Sequence, residues 1–332
     1  MIAFYLPQFH PIPENDAWWG KGFTEWTNTA KAVPLFPGHY QPHIPADLGF
    51  YDLRVPEARA AQAELARQYG IEGFCYYHYW FGGGRRLLQR PFDEVLASGQ
   101  PDFPFCLCWA NQSWTGVWYG TDRMLMEQTY SGEDDARAHF TWLLRAFQDK
   151  RYIRVDGRPL LIIFDRVSLL TGAPGLCALW RQWARQAGLP GLYVLIVRHQ
   201  MDDFDPHPAG FDGAVDMRVP ISHYAGRRFD HREVAKFEVA ELQPGVVHFP
   251  CIGPTWDNTP RLGNRGQVYV NSSPELFRET ARRALKILAD RSPQYQLLFL
   301  KAWNEWAEGN HLEPDLRYGH AWLKALQQGV AD

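Results

Sequence analysis

The chain has 332 residues, of which 46% are hydrophobic and 21% charged, which excludes disorder, collagen and coiled coil. Lys and Arg number 34 against 37 Asp and Glu, a net charge of -3, with no long basic block, so nucleic acid is a poor partner. The distinctive feature is 15% aromatic residues, including 14 Trp. Many stand beside Asn, Gln, His or Glu, which suggests a ring-lined pocket that stacks on sugars; the alternative is that they are mostly core.

The cysteines and the N-terminus point to an intracellular protein. Five cysteines, an odd count without C-x-x-C spacing, fit neither a disulfide framework nor a zinc knuckle. The opening MIAFYLPQFHPIPEN lacks a basic n-region and breaks at Pro7, far short of a membrane span. We therefore expect a first strand rather than a signal peptide, no transmembrane segment, and a cytoplasmic location.

Eight apolar runs are strand candidates, because near-continuous hydrophobicity indicates parallel strands covered by helices. In chain order they are IAFYL from residue 2, IEGFCYYHYW from 71, FPFCLCWAN from 103, PLLIIFD from 159, LYVLIVRH from 192, GAVDM from 213, VVHFPCIG from 246 and LLFLKAWNE from 297. Helical patterns begin at residues 55, 91, 133, 174, 231, 273 and 318. Ser273 before Pro274 marks a helix start, and Gly70 and Gly188 mark helix ends.

Strands that alternate with helices favour a single (β/α)8 TIM barrel, an α/β fold, over residues 1–332, with an open doubly wound sheet as the second choice. No linker, internal repeat or low-complexity segment divides the chain. Long loops should follow the first strands, notably residues 10–54.

In such barrels chemistry lies at the carboxyl ends of the strands, and polar and aromatic residues gather there in this chain. They are Gln8 and His10 after the first strand, His78 and Trp80 after the second, Trp109, Asn111, Gln112 and Trp114 after the third, Asp165 after the fourth, Arg198 and His199 after the fifth, Trp256, Asp257 and Asn258 after the seventh, and Asn304 and Glu305 after the eighth.

The strongest catalytic candidates are Glu305 and Glu308 in the stretch WNEWAEGNH. Three residues apart in a turn, their side chains share one side and could reach one bound sugar. Glycoside hydrolysis commonly needs such a pair, one carboxyl protonated and the other ionised. Packing by Trp303 and Trp306 would raise the pKa of one carboxyl, and the repulsion between the two charges would push the two pKa values apart. The alternative is that Glu308 only caps the following segment.

Other chemistries have weaker signals. Asp203-Phe204-Asp205 is a D-x-D that in many glycosyltransferases holds a metal against a diphosphate, but this signal is very weak and a solvated acidic loop is the better explanation. FGGGRR from residue 81 lacks a P-loop lysine and suggests a mobile loop or lid. His39 and His43 lie in a Pro-rich loop without other ligand motifs, so we expect no metal and no cofactor.

Six stretches resemble the WbsX family, proteins with a glycoside hydrolase family 99-like domain that are often labelled glycosyltransferases and are associated with surface-polysaccharide gene clusters. The stretches are FYLPQFHPIPEND, WWGKGFTEWTN, LFPGHYQPHIPADLGFYDL, YGIEGFCYYHYWF, PFCLCWANQSWTG and WNEWAEGNHLEPD. The resemblance runs from the first strand to the last helix and implies a (β/α)8 barrel.

Glu305-Trp306-Ala307-Glu308 is similar to the E-W-x-E motif of the endo-α-mannosidases and α-mannanases of the hydrolase family. By that resemblance Glu305 is the base that takes the proton of the sugar 2-hydroxyl, so that this oxygen attacks the anomeric carbon and forms a 1,2-anhydro intermediate. Glu308 is then the general acid and later the base for water, and configuration is retained.

The expected partner is an oligosaccharide or polysaccharide. We predict ten substrate-binding residues from their positions at strand ends: His10, His78, Trp80, Trp109, Asn111, Gln112, Trp114, Trp256, Asn304 and Trp306. Many relatives have an acid where this chain has Gln112, which bears on substrate choice. A sugar-nucleotide glycosyltransferase and a glycan-binding barrel without turnover remain the alternatives.

Overall fold

Eight parallel strands form a closed barrel in the computed structural model, which describes residues 1–116, 123–199, 204–217, 228–239 and 246–331. The strands are β1 (Ile2–Tyr5), β2 (Gly73–Trp80), β3 (Phe105–Trp109), β4 (Arg158–Ile163), β5 (Tyr193–Arg198), β6 (Gly213–Asp216), β7 (His248–Ile252) and β8 (Phe299–Leu300). Each strand pairs with the next along the chain, and β8 pairs with β1. The predicted (β/α)8 barrel is therefore confirmed, and the open sheet is excluded by the β1–β8 pairing.

Helices surround the barrel and supply the connections. They are α1 (Pro13–Trp19), α2 (Glu25–Lys31), α3 (Pro56–Gln68), α4 (Arg90–Ser98), α5 (Glu133–Phe147), α6 (Arg166–Gly172), α7 (Leu176–Gln186), α8 (His231–Glu238), α9 (Thr259–Leu262), α10 (Pro274–Leu288) and α11 (Ala321–Ala331). The predicted cap is present: Ser273 accepts a hydrogen bond from the Leu276 N–H at 3.2 Å. Gly70 and Gly188 follow α3 and α7 with φ of 79° and 84°, a conformation that favours glycine.

Short strands and 3-10 turns complete the described structure. The short strands are Arg86–Leu87, Trp114–Thr115, Met124–Met126, Arg154–Val155, Arg228–Asp230 and Val268–Val270, and the 3-10 turns are Gly263–Arg265, Pro293–Tyr295 and Trp306–Glu308. No helix in the described ranges combines the length and apolarity that crossing a membrane requires.

Alternation along β2 decides which side chains face the barrel axis. Tyr77 stacks on Phe4 across the interior, with ring centroids 5.5 Å apart. Its neighbour His78 points the other way and stacks on Trp142 of α5 at 4.3 Å. Residues of one parity therefore line the interior, and those of the other parity pack against the helices.

The long β1–α3 connection folds over the strand ends, as predicted. Its helix α2 starts at a capping box on Thr24, and the Glu25 N–H donates to the Gln8 carbonyl at 3.0 Å. Trp26 of α2 packs on Trp306, with centroids 5.4 Å apart. The connection thus places α2 directly beside the turn that follows β8.

Candidate active site

A cleft of about 590 Å³ opens at the carboxyl ends of the strands. Its walls come from the ends of β1 to β4 and β8 and from the α1, α2 and α9 regions. The lining side chains include Gln8, Trp19, Phe23, Glu25, Asn28, Tyr77, Tyr79, Gln112, Trp114, Phe164, Asp165, Arg261, Lys301, Glu305 and Glu308. Rings, amides and carboxyls are mixed along its surface, the combination that recognises sugars.

Glu305 and Glu308 lie on a tight turn that follows β8. The Glu308 N–H donates to the Glu305 carbonyl at 3.1 Å, and the 3-10 turn ends at Gly309 with φ of 67°. A Cβ on Gly309 would stand 2.8 Å from the Cβ of Asp257, while the Asp257 N–H donates to the Glu308 carbonyl at 2.7 Å. The turn is therefore packed against the β7 loop, and only glycine fits at its end.

Two cations hold the carboxylates. The Lys301 Nζ lies 2.7 Å from Glu305 Oε1 and 3.1 Å from Glu308 Oε2. The Arg261 guanidinium donates to Glu308 Oε1 and, through Nε at 2.8 Å, to Glu25 Oε1. All five groups are largely buried, so their charge-assisted hydrogen bonds act in a low dielectric.

The two carboxyl groups hydrogen-bond each other and titrate as one unit. Burial and the Glu308 charge raise the pKa of Glu305 to about 8. Burial disfavours ionisation of Glu308 as well, but Lys301 and Arg261 outweigh it and hold the pKa of Glu308 well below its usual range. The pair therefore carries one proton at neutral pH. Arg261 contacts Glu308 but not Glu305, so the negative charge of the pair lies mainly on Glu308.

A buried hydrogen-bond cluster fixes the turn from behind. Glu313 accepts from Trp306 Nε1 at 2.6 Å, from the Tyr51 hydroxyl at 2.8 Å and from Gln62 Nε2 at 2.6 Å. The Trp306 ring stacks on His311 at 3.6 Å with an interplanar angle of 11°. Trp306, predicted as a substrate contact, anchors the turn and lies outside the lining of the cleft.

Of the twelve predicted site residues, Gln112, Trp114, Glu305 and Glu308 line the cleft. His78, Trp80 and Trp109 do not, because they have the helix-facing parity of β2 and β3. His78 hydrogen-bonds His139 at 2.9 Å, and Trp80 and Trp109 line a separate cavity of about 240 Å³ beside α5 and α7. These three residues therefore lie away from the cleft that holds Glu305 and Glu308.

Asn111 and Asn304 also act as supports rather than as lining residues. The Asn111 amide donates to the Asp165 carbonyl and accepts from the Asp165 N–H, both at 2.8 Å. Asn304 Oδ1 accepts from the Leu6 N–H at 2.7 Å, and its Nδ2 donates to the Leu6 carbonyl at 3.0 Å. Each amide therefore ties two strand ends together.

His10 and Trp256 likewise lie outside the cleft. His10 is only 2% exposed, and burial is the main cause that lowers its pKa to about 4. Trp256 lines a small neighbouring cavity, and the Lys301 Nζ lies 5.7 Å from its ring centroid. Lys301 lines both this small cavity and the cleft, so Trp256 approaches the charged cluster through the small cavity.

The described residues of the weaker motifs lie outside the cleft lining. Asp203 of the D-x-D lies outside the described residues, and Asp205 accepts a hydrogen bond from the His207 N–H at 3.0 Å on the surface. FGGGRR forms a turn in which the Arg85 N–H donates to the Gly82 carbonyl at 3.0 Å, followed by Arg86, which pairs with Asp93. Neither Asp205 nor any residue of FGGGRR is among the described residues that line the cleft.

Sequence reasoning missed several lining residues: Trp19, Phe23, Glu25, Asn28, Tyr77, Tyr79, Arg261 and Lys301. Tyr77 and Tyr79 were detectable, since they alternate with His78 and Trp80 on one strand. Lys301 also carried a signal, because it lies four residues before Glu305 at the end of β8. Arg261 and Glu25 meet only through the tertiary fold.

The chain matches the family described as "Glycosyltransferase WbsX" over residues 1–326. The uncharacterized protein WxcX of Xanthomonas campestris pv. campestris (strain B100) is 42% identical over 346 residues, which cover 99% of this chain and 49% of WxcX. WxcX of strain ATCC 33913 matches with the same identity and coverage. The chain thus spans about half the length of the curated relatives it matches.

Solved structures share the barrel at low sequence identity. The GH99 endo-alpha-mannosidase from Bacteroides thetaiotaomicron has a TM-score of 0.58 and 15% identity, over 99% of this chain and 95% of the mannosidase chain. A glycoside hydrolase-like protein has a TM-score of 0.61 and 17% identity, over 92% of this chain and 98% of that chain. These likenesses show the fold. With the match over nearly its whole length, the chain belongs to the WbsX glycosyltransferase family.

Proposed function

We propose that this chain, one domain over residues 1–332, is a carbohydrate-active enzyme of surface-polysaccharide metabolism that cleaves an α-linked, mannose-like glycan with retention of configuration. The observation that carries the proposal is the pair of contacting carboxyls, Glu305 and Glu308, in a cleft whose walls include Trp19 and Trp114. The rings offer stacking faces for sugars, and the carboxyl pair offers an acid and a base within reach of one glycosidic bond.

The contact between the carboxyls is compatible with participation of the substrate. Inverting enzymes hold the two groups about 6.5–9.5 Å apart to leave room for a water molecule. Glu305 and Glu308 hydrogen-bond each other, which leaves no room for a water between the hydrogen-bonded oxygens. A 2-hydroxyl that attacks the anomeric carbon needs no carboxylate at that carbon and no water between the pair.

The single shared proton supports such a reaction. In the form with Glu308 protonated and Glu305 ionised, Glu305 takes the 2-hydroxyl proton while Glu308 protonates the leaving oxygen. Water then opens the 1,2-anhydro ring and gives its proton to Glu308, and the 2-oxygen recovers a proton from Glu305. The resting charge distribution is the opposite one, since Arg261 favours the Glu308 anion. One proton transfer along the carboxyl contact converts the resting form into the reactive one.

A glycosyltransferase is the second candidate, favoured by the family description. A sugar nucleotide would need cations for its diphosphate, and Arg261 and Lys301 lie in the cleft. Each of them already contacts two carboxylates, which opposes a further anion at the same place. A retaining intermediate could still pass its sugar to another sugar instead of water, so the two activities share the carboxyl pair.

Mass spectrometry of a panel of α-linked oligosaccharides incubated in ¹⁸O-labelled water tests the function. Hydrolysis places one ¹⁸O at each new reducing end, whereas transfer gives longer products without the label. Calorimetry with sugar nucleotides, with and without Mn²⁺, tests the nucleotide-dependent reaction. Labelled ends from an α-mannoside and no heat from any sugar nucleotide support the proposal. Nucleotide-sugar binding without cleavage would replace it with the transferase, and glycan binding without turnover would leave a lectin-like barrel.

A further inference from the structure

Three buried side chains behind the cleft point ligand atoms at one another. His43 Nδ1 or Nε2, His311 Nε2 and an Asp315 oxygen lie within 4.8 Å of one another, and the residues are 5%, 2% and 1% exposed. None of the three lines the cleft that holds Glu305. His43 comes from the β1–α3 connection, whereas His311 and Asp315 follow β8, so the cluster joins two distant segments.

The outer contacts of His311 and Asp315 orient them toward this point. His311 Nδ1 donates to the Glu313 carbonyl at 2.8 Å, which leaves the lone pair on Nε2 facing the cluster. Asp315 Oδ1 accepts from the N–H groups of Arg317 and Tyr318 at 2.9 Å and 2.6 Å. The carboxyl also interacts with the Tyr40 hydroxyl, and its buried Oδ2 lies 3.9 Å from His311 Nε2. A buried carboxylate is costly unless its charge is compensated, and a cation at this point would compensate it.

Both imidazoles suit metal binding. Both rings are buried, and His43 Nδ1 and His311 Nε2 share one hydrogen at 2.8 Å, so each ring presents one nitrogen to the cluster. Tyr40 stacks on the His43 ring at 4.3 Å and holds it in place. His43 also lines a cavity of about 390 Å³, which gives an ion a route to the cluster.

We propose that His43, His311 and Asp315 bind a divalent transition-metal ion of the Zn²⁺ class in a structural site. Two imidazole nitrogens and a carboxylate oxygen are an ordinary ligand set for Zn²⁺, with bonds of about 2.0–2.2 Å. His43 Nδ1 and His311 Nε2 hydrogen-bond at 2.8 Å in this structure. The ion takes the place of that hydrogen, and His43 changes to the tautomer protonated at Nε2, so both nitrogens become ligands and no net proton is released.

The ion would brace the catalytic turn. His311 stacks on Trp306 within the Trp306–Glu308 turn, so fixing His311 to the β1–α3 connection restrains the segment that carries Glu308. This role does not depend on which glycan the cleft accepts. Metal content and thermal stability therefore test the site separately from the proposed activity.

The experiment measures metal content by plasma mass spectrometry after dialysis against Zn²⁺ and then against Zn²⁺-free buffer. We expect about one Zn²⁺ per chain and a Tm several degrees higher than after EDTA treatment. His311→Gln and Asp315→Asn should lose both effects. His320→Gln is the matched control, because His320 pairs with Asp47 at the surface and lies outside the cluster.

A Co²⁺ titration of the unmodified protein covers the case in which the variants fail to fold. Absorption bands of a four-coordinate Co²⁺ site that saturate at one equivalent and disappear when Zn²⁺ is added support the proposal. Less than a tenth of an equivalent of retained Zn²⁺ together with a Tm indifferent to EDTA would overturn it. Equal metal loss in His320→Gln would overturn the assignment to these three residues.

Discussion

The Nζ of Lys301 lies 2.7 Å from the Oε1 of Glu305. The same ammonium reaches Glu308 Oε2 at 3.1 Å, so one cation from the end of β8 faces both carboxyls. Lys301 lowers the pKa of each glutamate against the effect of burial. Lys301 therefore helps the two buried carboxyls to share a single proton, and acid–base catalysis by the pair requires this state.

Replacing Lys301 tests this arrangement. In Lys301→Met the cation is gone, so both pKa values rise and the proton balance of the pair changes. We expect kcat to fall about 100-fold or more at neutral pH, because general acid–base catalysis contributes about 10²–10⁴. Lys324→Met, at an exposed position of α11, is the control. Equal kcat in both variants would show that Lys301 plays no part in the proton balance.

The pH dependence of kcat/KM reports the pair directly. The singly protonated pair loses its proton as pH rises through about 8, the pKa of Glu305, so the rate should fall above that pH. On the acid side the rate should persist until the lowered pKa of Glu308 is reached. In Arg261→Gln the anion of Glu308 loses a partner, so its pKa rises and the acid limb moves to higher pH. An acid limb that stays in place would contradict the role of Arg261.

Trp114 should bind the glycan through its ring. It lines the cleft at the end of the third-strand loop and is half-buried before substrate enters. Trp114→Ala removes a stacking face worth about 1–2 kcal/mol, so KM should rise about 5- to 30-fold with a smaller change in kcat. Leu316→Ala, which is 70% exposed and outside the cleft, should leave KM unchanged. A similar KM for both variants would show that Trp114 does not bind the glycan.

Asn304 should affect stability rather than affinity. Asn304→Leu leaves the Leu6 N–H and carbonyl without partners at a position that is 0% exposed. Two buried unpaired groups cost about 2–4 kcal/mol together, which denaturant unfolding would detect. The KM of the folded enzyme should change little. A raised KM with unchanged unfolding free energy would restore Asn304 as a substrate contact.

The sequence predicted the barrel because each strand is a separate apolar run with its own flanking signals, and all eight runs became barrel strands. At the strand ends the prediction depended on residue type. Residue type does not tell whether a side chain faces the barrel interior or the surrounding helices. His78 and Trp80 look more like binding residues than Tyr77 and Tyr79 do, yet the pleat directs the tyrosines inward and the other two toward α5.

The ion pairs around Glu305 and Glu308 could not be predicted from the local sequence. Arg261 and Glu25 are 236 positions apart, and they meet because the long β1–α3 connection folds back over the strand ends. Glu305 and Glu308, in contrast, are close in sequence, so their spacing and the E-W-x-E resemblance were sufficient to select them. The contact between their carboxyls and the cations around them came only from the structure.

The most direct test of the carboxyl pair compares Glu305→Gln and Glu308→Gln on two α-mannosides with the same glycone, one with a poor leaving group and one with an activated aryl leaving group. Glu308→Gln should lose about 100-fold or more on the poor leaving group and keep most of its rate on the activated one, since the latter needs no proton. Glu305→Gln should lose activity on both, because the 2-hydroxyl then has no base. Full activity of both variants on both substrates would contradict the account.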